Sequence, residues 1–175
     1  MVLAAIGRVP NTDADWFRSS GLKLDERGYV TVDGYGRTNL DGVWALGDIT
    51  PGHALAHRAF EQGITIAEKI AGADPKPVLD DTVPQVVFSF PEAASVGLTL
   101  DQAKAREDVV EPKETAYPML SNARMLMSGE GGSMTVVSGA FANNPDMQVV
   151  LGVHIVSPIA SDLIAEAEQL VGNRV

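Results

Sequence analysis

At 175 residues the chain is long enough for one domain and a fraction, with a core of its own; 45% of it is hydrophobic and 21% charged, as in ordinary globular proteins. Thirteen Lys and Arg against twenty-three Asp and Glu leave a net charge of −10, and with no basic patch this argues against nucleic-acid or anionic-membrane partners. The complete lack of cysteine excludes a disulfide framework, a zinc–thiolate site and a redox dithiol within these residues; with no apolar run of membrane-spanning length and no evident signal peptide, a cytoplasmic location fits.

In chain order, Val2-Leu3-Ala4-Ala5-Ile6 is a short apolar run closed by Gly7-Arg8-Val9-Pro10-Asn11, the pattern of a buried strand stopped by a turn. Residues 28–48 read as β, through Tyr29–Val32 and Val43–Leu46, ending on Gly47-Asp48. After Pro51-Gly52, Leu55, Ala59, Phe60, Ile64, Ala67 and Ile70 recur at helical spacing and predict a helix from Leu55 to Ala71, stopped by Gly72. Gly63 in its middle suggests close packing at that point. Ala73 to Pro84 reads as a linker. Beyond it the pattern predicts strands at Gln85–Phe90 and Ala94–Gly97, a helix opened by Thr99, and strands at Val109–Tyr117, Ser133–Phe141 and Val149–Val156. A last helix is expected from Ile159 to Val171. The second part is therefore expected to be α+β with a mostly antiparallel sheet.

Individual residues carry weak signals. A strand ending in Gly47-Asp48 before a helix can offer an Asp to a sugar-like hydroxyl, or can simply cap its loop. His53, His57 and Glu61 are spaced four apart, yet Pro51-Gly52 puts His53 ahead of the helix, so a metal site is not expected. Gly129, Gly131 and Gly132 lack a following helix and read as a hairpin turn rather than a phosphate loop. Met119, Met125, Met127 and Met134 read as gap-fillers in a core or interface, and Ser128 and Ser133 lack partners for nucleophilic catalysis.

The ordered set of motifs is far more specific. Ala5-Ile6-Gly7-Arg8-Val9-Pro10-Asn11-Thr12, Gly42-Val43-Trp44-Ala45-Leu46-Gly47-Asp48 and Leu55-Ala56-His57-Arg58-Ala59 resemble the flavin-dependent pyridine nucleotide–disulfide oxidoreductases. Phe90-Pro91-Glu92-Ala93-Ala94-Ser95-Val96-Gly97-Leu98-Thr99, Asn122-Ala123-Arg124, Gly152–Val156 and Ala160–Ile164 are similar to that family's interface domain. The Leu-Ala-His form after Gly-Asp is most similar to its dihydrolipoamide dehydrogenase branch.

The resemblance implies a part of a larger protein. Residues 1–10 would end a nicotinamide-binding domain, 11–80 would be the returning segment of an α/β FAD-binding domain, and 81–175 a dimerisation domain cut before its end. The family's Gly-rich cofactor units, redox cysteine pair and terminal His-Pro motif are not among these residues, so no catalytic residue is expected here. Asp48 resembles the aspartate that meets the ribityl chain of FAD. Ala56 resembles the residue whose N–H reaches the flavin pyrimidine edge, and Gly7 a glycine at the edge of the NAD site. The implied partners are a second copy of the chain and components of a 2-oxo acid dehydrogenase complex. Relatives acting on mycothione, mercuric ion or quinones, transhydrogenases, and a self-standing dimerisation module are the alternatives. Gly139 to Gln148 departs from the family pattern and suggests a longer or differently shaped hairpin.

Overall fold

The computed structural model describes residues 1–175, and the chain divides into two units, Met1–Asp80 and Asp81–Val175. In the first unit short side chains, rather than strand ladders, satisfy much of the backbone. Asp25 accepts the N–H groups of Arg27 and Tyr29, each at 2.9 Å, and Asp33 repeats the device with Tyr35 and Arg37, again at 2.9 Å. Both turns close through a left-handed glycine, Gly28 at φ 87° and Gly36 at φ 83°. The unit also holds two helices, α1 (Asp15–Ser19), which buries Phe17, and α2 (Ala56–Ile70).

Several expectations for this unit are corrected. Val2–Ile6 is not a buried strand; it is exposed and pairs with no strand of this chain. Residues 28–48 form no ladder but two isolated bridges, Leu24 with Val30 and Arg37 with Trp44, since glycine turns interrupt each run. In α2 the residues turned inward are Arg58, Thr65 and Ile66, while Phe60, Ile64 and Ile70 are exposed. Gly63 is not tightly packed: a Cβ there would meet only Leu46, at 3.9 Å. Gly63→Ala should therefore raise stability by about 1 kcal/mol, the usual helix-interior difference, read as a higher urea midpoint.

The second unit is one five-stranded antiparallel sheet, in the order β1 (Gln85–Val87), β2 (Glu92–Gly97), β5 (Asn144–Ser157), β4 (Ser133–Phe141), β3 (Val109–Pro118). The mostly antiparallel α+β architecture expected for it is the one observed. Alternation puts Ala94, Val96, Val153 and Ile155 on one face, where α5 (Ala160–Gly172) covers them with Ala160, Ile164, Ala167 and Val171. A second cluster gathers Leu98, Val109, Val137, Val149 and Leu151 around Ala103 of α3 (Leu100–Ala105). Thr99 opens α3 with a full capping box, its hydroxyl accepting from Gln102 N–H while the Gln102 amide returns to the Thr99 N–H.

Here too the boundaries move. The first strand stops at Val87 rather than Phe90, and β5 begins at Asn144 rather than Val149, so Gly139–Gln148 is a long hairpin with a tight turn. Gly129–Gly132 is not a hairpin turn: the short helix α4 (Ala123–Ser128) precedes it, and left-handed Gly129 terminates that helix on the way to β4.

The N-terminus of α5 has no cap from its own N-cap residue, Ile159. Glu92 of β2 supplies one from 69 residues away, its carboxylate accepting the Ser161 N–H at 2.8 Å. This bond, then a second from the Ser161 side chain, holds the Glu92 carboxyl below the ordinary glutamate range. A depressed carboxyl contributes stability above its unfolded pKa, and the contribution is lost as pH falls through the lowered folded value. The melting temperatures of the natural chain and Glu92→Gln should therefore differ at neutral pH and converge below the ordinary glutamate range.

Candidate functional site

The first unit builds one feature suited to binding. Gly47–Ile49 forms a single 3₁₀ turn ahead of the loop that leads into α2. Gly47 adopts φ 73°, and its N–H donates to the Gln62 side chain of α2 at 2.9 Å. Thr50, almost wholly buried, closes the turn from the other side, its hydroxyl donating to the Gly47 carbonyl at 2.8 Å. The turn is thus fixed to the helix that follows it, and Asp48 between these anchors is exposed.

At the far end of the loop, Leu55 is the N-cap of α2 and provides no side-chain hydrogen bond to the first turn. With no side-chain cap from Leu55, the Ala56 N–H at the start of the helix can meet a partner from outside it, and the helix dipole favours one carrying negative charge. An exposed carboxylate and an uncapped fifteen-residue helix can serve one extended ligand: the carboxylate accepts from hydroxyls, and the helix end donates to carbonyl or anionic atoms. Asp48 and Ala56 stand eight positions apart across this one loop. Gly7 is not brought to any such feature. It lies in the exposed opening segment at φ 148°, with nothing within 4 Å of where a side chain would begin.

Three residues that sequence reasoning passed over hold the loop. Arg58, 6% exposed, donates through Nε to Asp80 at 2.6 Å and through Nη2 to the Pro51 carbonyl at 2.7 Å. Gly52 lies so close over this pair that a Cβ there would collide with the Arg58 guanidinium and the Asp80 carboxylate. Gln62 is the third. Position alone gave a hint, since an arginine at the third residue of an amphipathic helix shares the face of Gln62 and Thr65. A cavity of about 300 Å³ opens beside them, walled by Val32, Ile66 and Leu79 among others. His53 precedes α2 while His57 and Glu61 lie on it, and no group of three His, Cys, Asp or Glu could hold a metal ion. No helix is long and apolar enough to cross a membrane.

Residues 1–63 match the pyridine nucleotide-disulphide oxidoreductase family model, and residues 83–175 match the model of that family's dimerisation domain. Among curated relatives, a dihydrolipoyl dehydrogenase of Cupriavidus necator is 42% identical over 168 residues, covering 95% of this chain and 34% of that protein. One from Geobacillus stearothermophilus is 41% identical over 167 residues, covering 94% and 34%. The chain thus spans about a third of the length of these relatives. The crystal structure of LpdA from Mycobacterium tuberculosis superposes with a TM-score of 0.85 at 33% identity, over 98% of this chain and 36% of that one. A HOCl-induced flavoprotein disulfide reductase from Escherichia coli shares the fold, with a TM-score of 0.79 at 22% identity. With more than half of its residues inside the dimerisation-domain match alone, the chain belongs to the pyridine nucleotide–disulphide oxidoreductase family.

Proposed function

We propose that these residues are the flavin-site return segment and dimerisation domain of a dihydrolipoamide dehydrogenase, an enzyme that oxidises dihydrolipoyl groups with NAD. The observation that carries the reading is the pairing of an exposed Asp48 on a fixed turn with the uncapped start of α2. The dihydrolipoyl dehydrogenase relatives favour this branch of the family. In this reading residues 1–10 close a nicotinamide-binding domain with Gly7 at its edge, 11–80 complete an FAD-binding domain, and 81–175 pair with a second copy. A 2-oxo acid dehydrogenase complex in the cytoplasm is the setting such an enzyme would serve.

The donor set fits part of FAD. Asp48 would accept a hydrogen bond from a ribityl hydroxyl, and the Ala56 N–H would donate to the pyrimidine edge of the ring. FAD, when bound, supplies the route for electrons between dithiol and nicotinamide. This chain's residues would orient it: the α2 dipole would stabilise negative charge at that edge by about 0.3–1 kcal/mol per contact, and Arg58 keeps the intervening loop in place.

Only these two contacts come from the chain, so the isolated 175 residues should purify colourless and form no NADH from dihydrolipoamide. Flavin absorbance co-eluting near one per chain on gel filtration would contradict that expectation. The function itself is tested by exchange: the 175 residues replace the matching segment of the Cupriavidus necator dihydrolipoyl dehydrogenase. The hybrid should form NADH from dihydrolipoamide. A folded, flavin-loaded hybrid active with another disulfide substrate and inactive with dihydrolipoamide would overturn the assignment.

A further inference from the structure

The first unit contains a cavity of about 300 Å³ that the flavin reading does not use. Its wall mixes two chemistries: Val32, Ile66 and Leu79 supply apolar surface, while Asp33, Arg58 and Asp80 supply charged groups. Arg58 is 6% exposed, and two nitrogens of its guanidinium are engaged. Nε donates to Asp80 at 2.6 Å and Nη2 to the Pro51 carbonyl at 2.7 Å. The remaining nitrogen, Nη1, is buried without a hydrogen-bond partner, the one side-chain atom of the chain in that condition. A buried donor lacking an acceptor is costly, and folded proteins answer such a donor with a bound molecule or an ordered water. The cavity is several times larger than the roughly 30 Å³ share of one water, and it reaches the range of small-molecule sites.

We propose that this cavity binds a neutral, hydroxyl-rich small molecule of the sugar or polyol class, held by a hydroxyl oxygen that accepts from Arg58 Nη1. Charge sets the class. The Arg58 guanidinium is already paired with Asp80, and Asp33 adds a second carboxylate to the wall. A phosphate or carboxylate ligand would set a third negative group against those two, and a cation would lie against a buried guanidinium; both are disfavoured. Among neutral groups the hydroxyl is the match, because one oxygen both accepts and donates. One hydroxyl accepts from Nη1, and others on the same molecule donate to Asp33 and Asp80, since a carboxylate takes several hydrogen bonds. Asp33 is held ready for this. Its Oδ1 accepts from the Tyr35 and Arg37 N–H groups, each at 2.9 Å, which fixes the orientation of the carboxylate. The carbon skeleton of a sugar or polyol would lie against Val32, Ile66 and Leu79. A purely apolar ligand would fill the same space and leave Nη1 unpaired, so it is the poorer occupant.

The test is saturation-transfer NMR on the full chain, with myo-inositol and glucose as probes beside inorganic phosphate and acetate. Both polyols should receive transfer at millimolar concentration, and neither anion should. A readout free of mutation comes from chain isotope-labelled at arginine: the Arg58 guanidinium protons should shift and exchange more slowly with polyol present, while the other arginines stay unchanged. Arg58→Lys removes Nη1 but also releases the Pro51 carbonyl, so a second variant fills the cavity instead. Val78→Trp, at a half-buried position on the wall, should weaken polyol binding at least about tenfold in a chain that still melts cooperatively. Transfer to phosphate or acetate in place of the polyols, transfer to none of the probes, or polyol binding that leaves the Arg58 signals unmoved and survives Val78→Trp would each overturn the proposal. None of these results bears on the flavin reading, which the hybrid enzyme tests separately.

Discussion

Gly152→Ala is expected to lower the stability of the second unit by about 3 kcal/mol or more. Gly152 faces Gly97 across the β2–β5 ladder, at the point where β2 ends and the chain folds over β5. The Leu98 N–H donates to the Leu151 carbonyl at 2.8 Å, which draws the Leu98 backbone directly over Gly152. A Cβ on Gly152 would sit 2.7 Å from the Leu98 nitrogen and would collide with its carbonyl oxygen. Backbone cannot rotate away as a side chain can, so relief requires breaking the Leu98–Leu151 bond or separating β2 from β5. Either change opens the sheet between its two hydrophobic clusters, one containing Val96 and Val153 and the other Leu98 and Leu151. For a domain whose whole stability is on the order of 5–15 kcal/mol the loss is large. Gly34→Ala is the control: its nearest neighbour would be Pro77 at 3.6 Å, and its urea midpoint should stay close to that of the natural chain. A Gly152→Ala midpoint indistinguishable from the control would show that the strands separate more freely than this packing implies.

The second large effect is on flavin retention. In the hybrid with the Cupriavidus necator enzyme, Asp48→Ala should weaken FAD binding roughly ten- to a hundredfold, the range expected when a hydrogen bond to a charged group is removed. The exposed position of Asp48 predicts little cost to folding, so the loss should appear in flavin content and not in the melting temperature of the flavin-free hybrid. Asp48→Asn keeps an acceptor and should retain more flavin than Asp48→Ala. Equal retention by the hybrid and both variants would remove Asp48 from the site.

How much of this was legible in the sequence depends on whether a pattern was local. The capping box at Thr99, the Ser133–Phe141 strand and the helix after Leu55 are encoded within a few neighbouring residues, and the structure places them within a residue or so of expectation. The opening run Val2–Ile6 has strand composition, but a strand requires a partner, and composition cannot show whether one is present. The exposed Phe60 and Ile64 show the same limit for helices: spacing reveals a stripe without revealing what covers it. Helix α4 escaped notice because six residues are too few to set up a periodicity, and the glycines after it resemble a turn. At the candidate site, Asp48 and Ala56 stood out because motif order marked them. The residues that fix their loop did not, because Arg58 reaches Asp80 across 22 positions and Gln62 reaches Gly47 across 15. Glu92 on Ser161, 69 positions away, belongs to the same class. Long-range polar contacts of this kind leave no periodic trace.

The most direct measurement is the amide-exchange difference between the flavin-loaded and flavin-stripped hybrid, mapped residue by residue. Slowing should concentrate at residues 47–58, with the Ala56 amide at the start of α2 most affected and the β2–β5–β4 sheet unchanged. Flavin-dependent slowing elsewhere in these residues with none at 47–58 would contradict it.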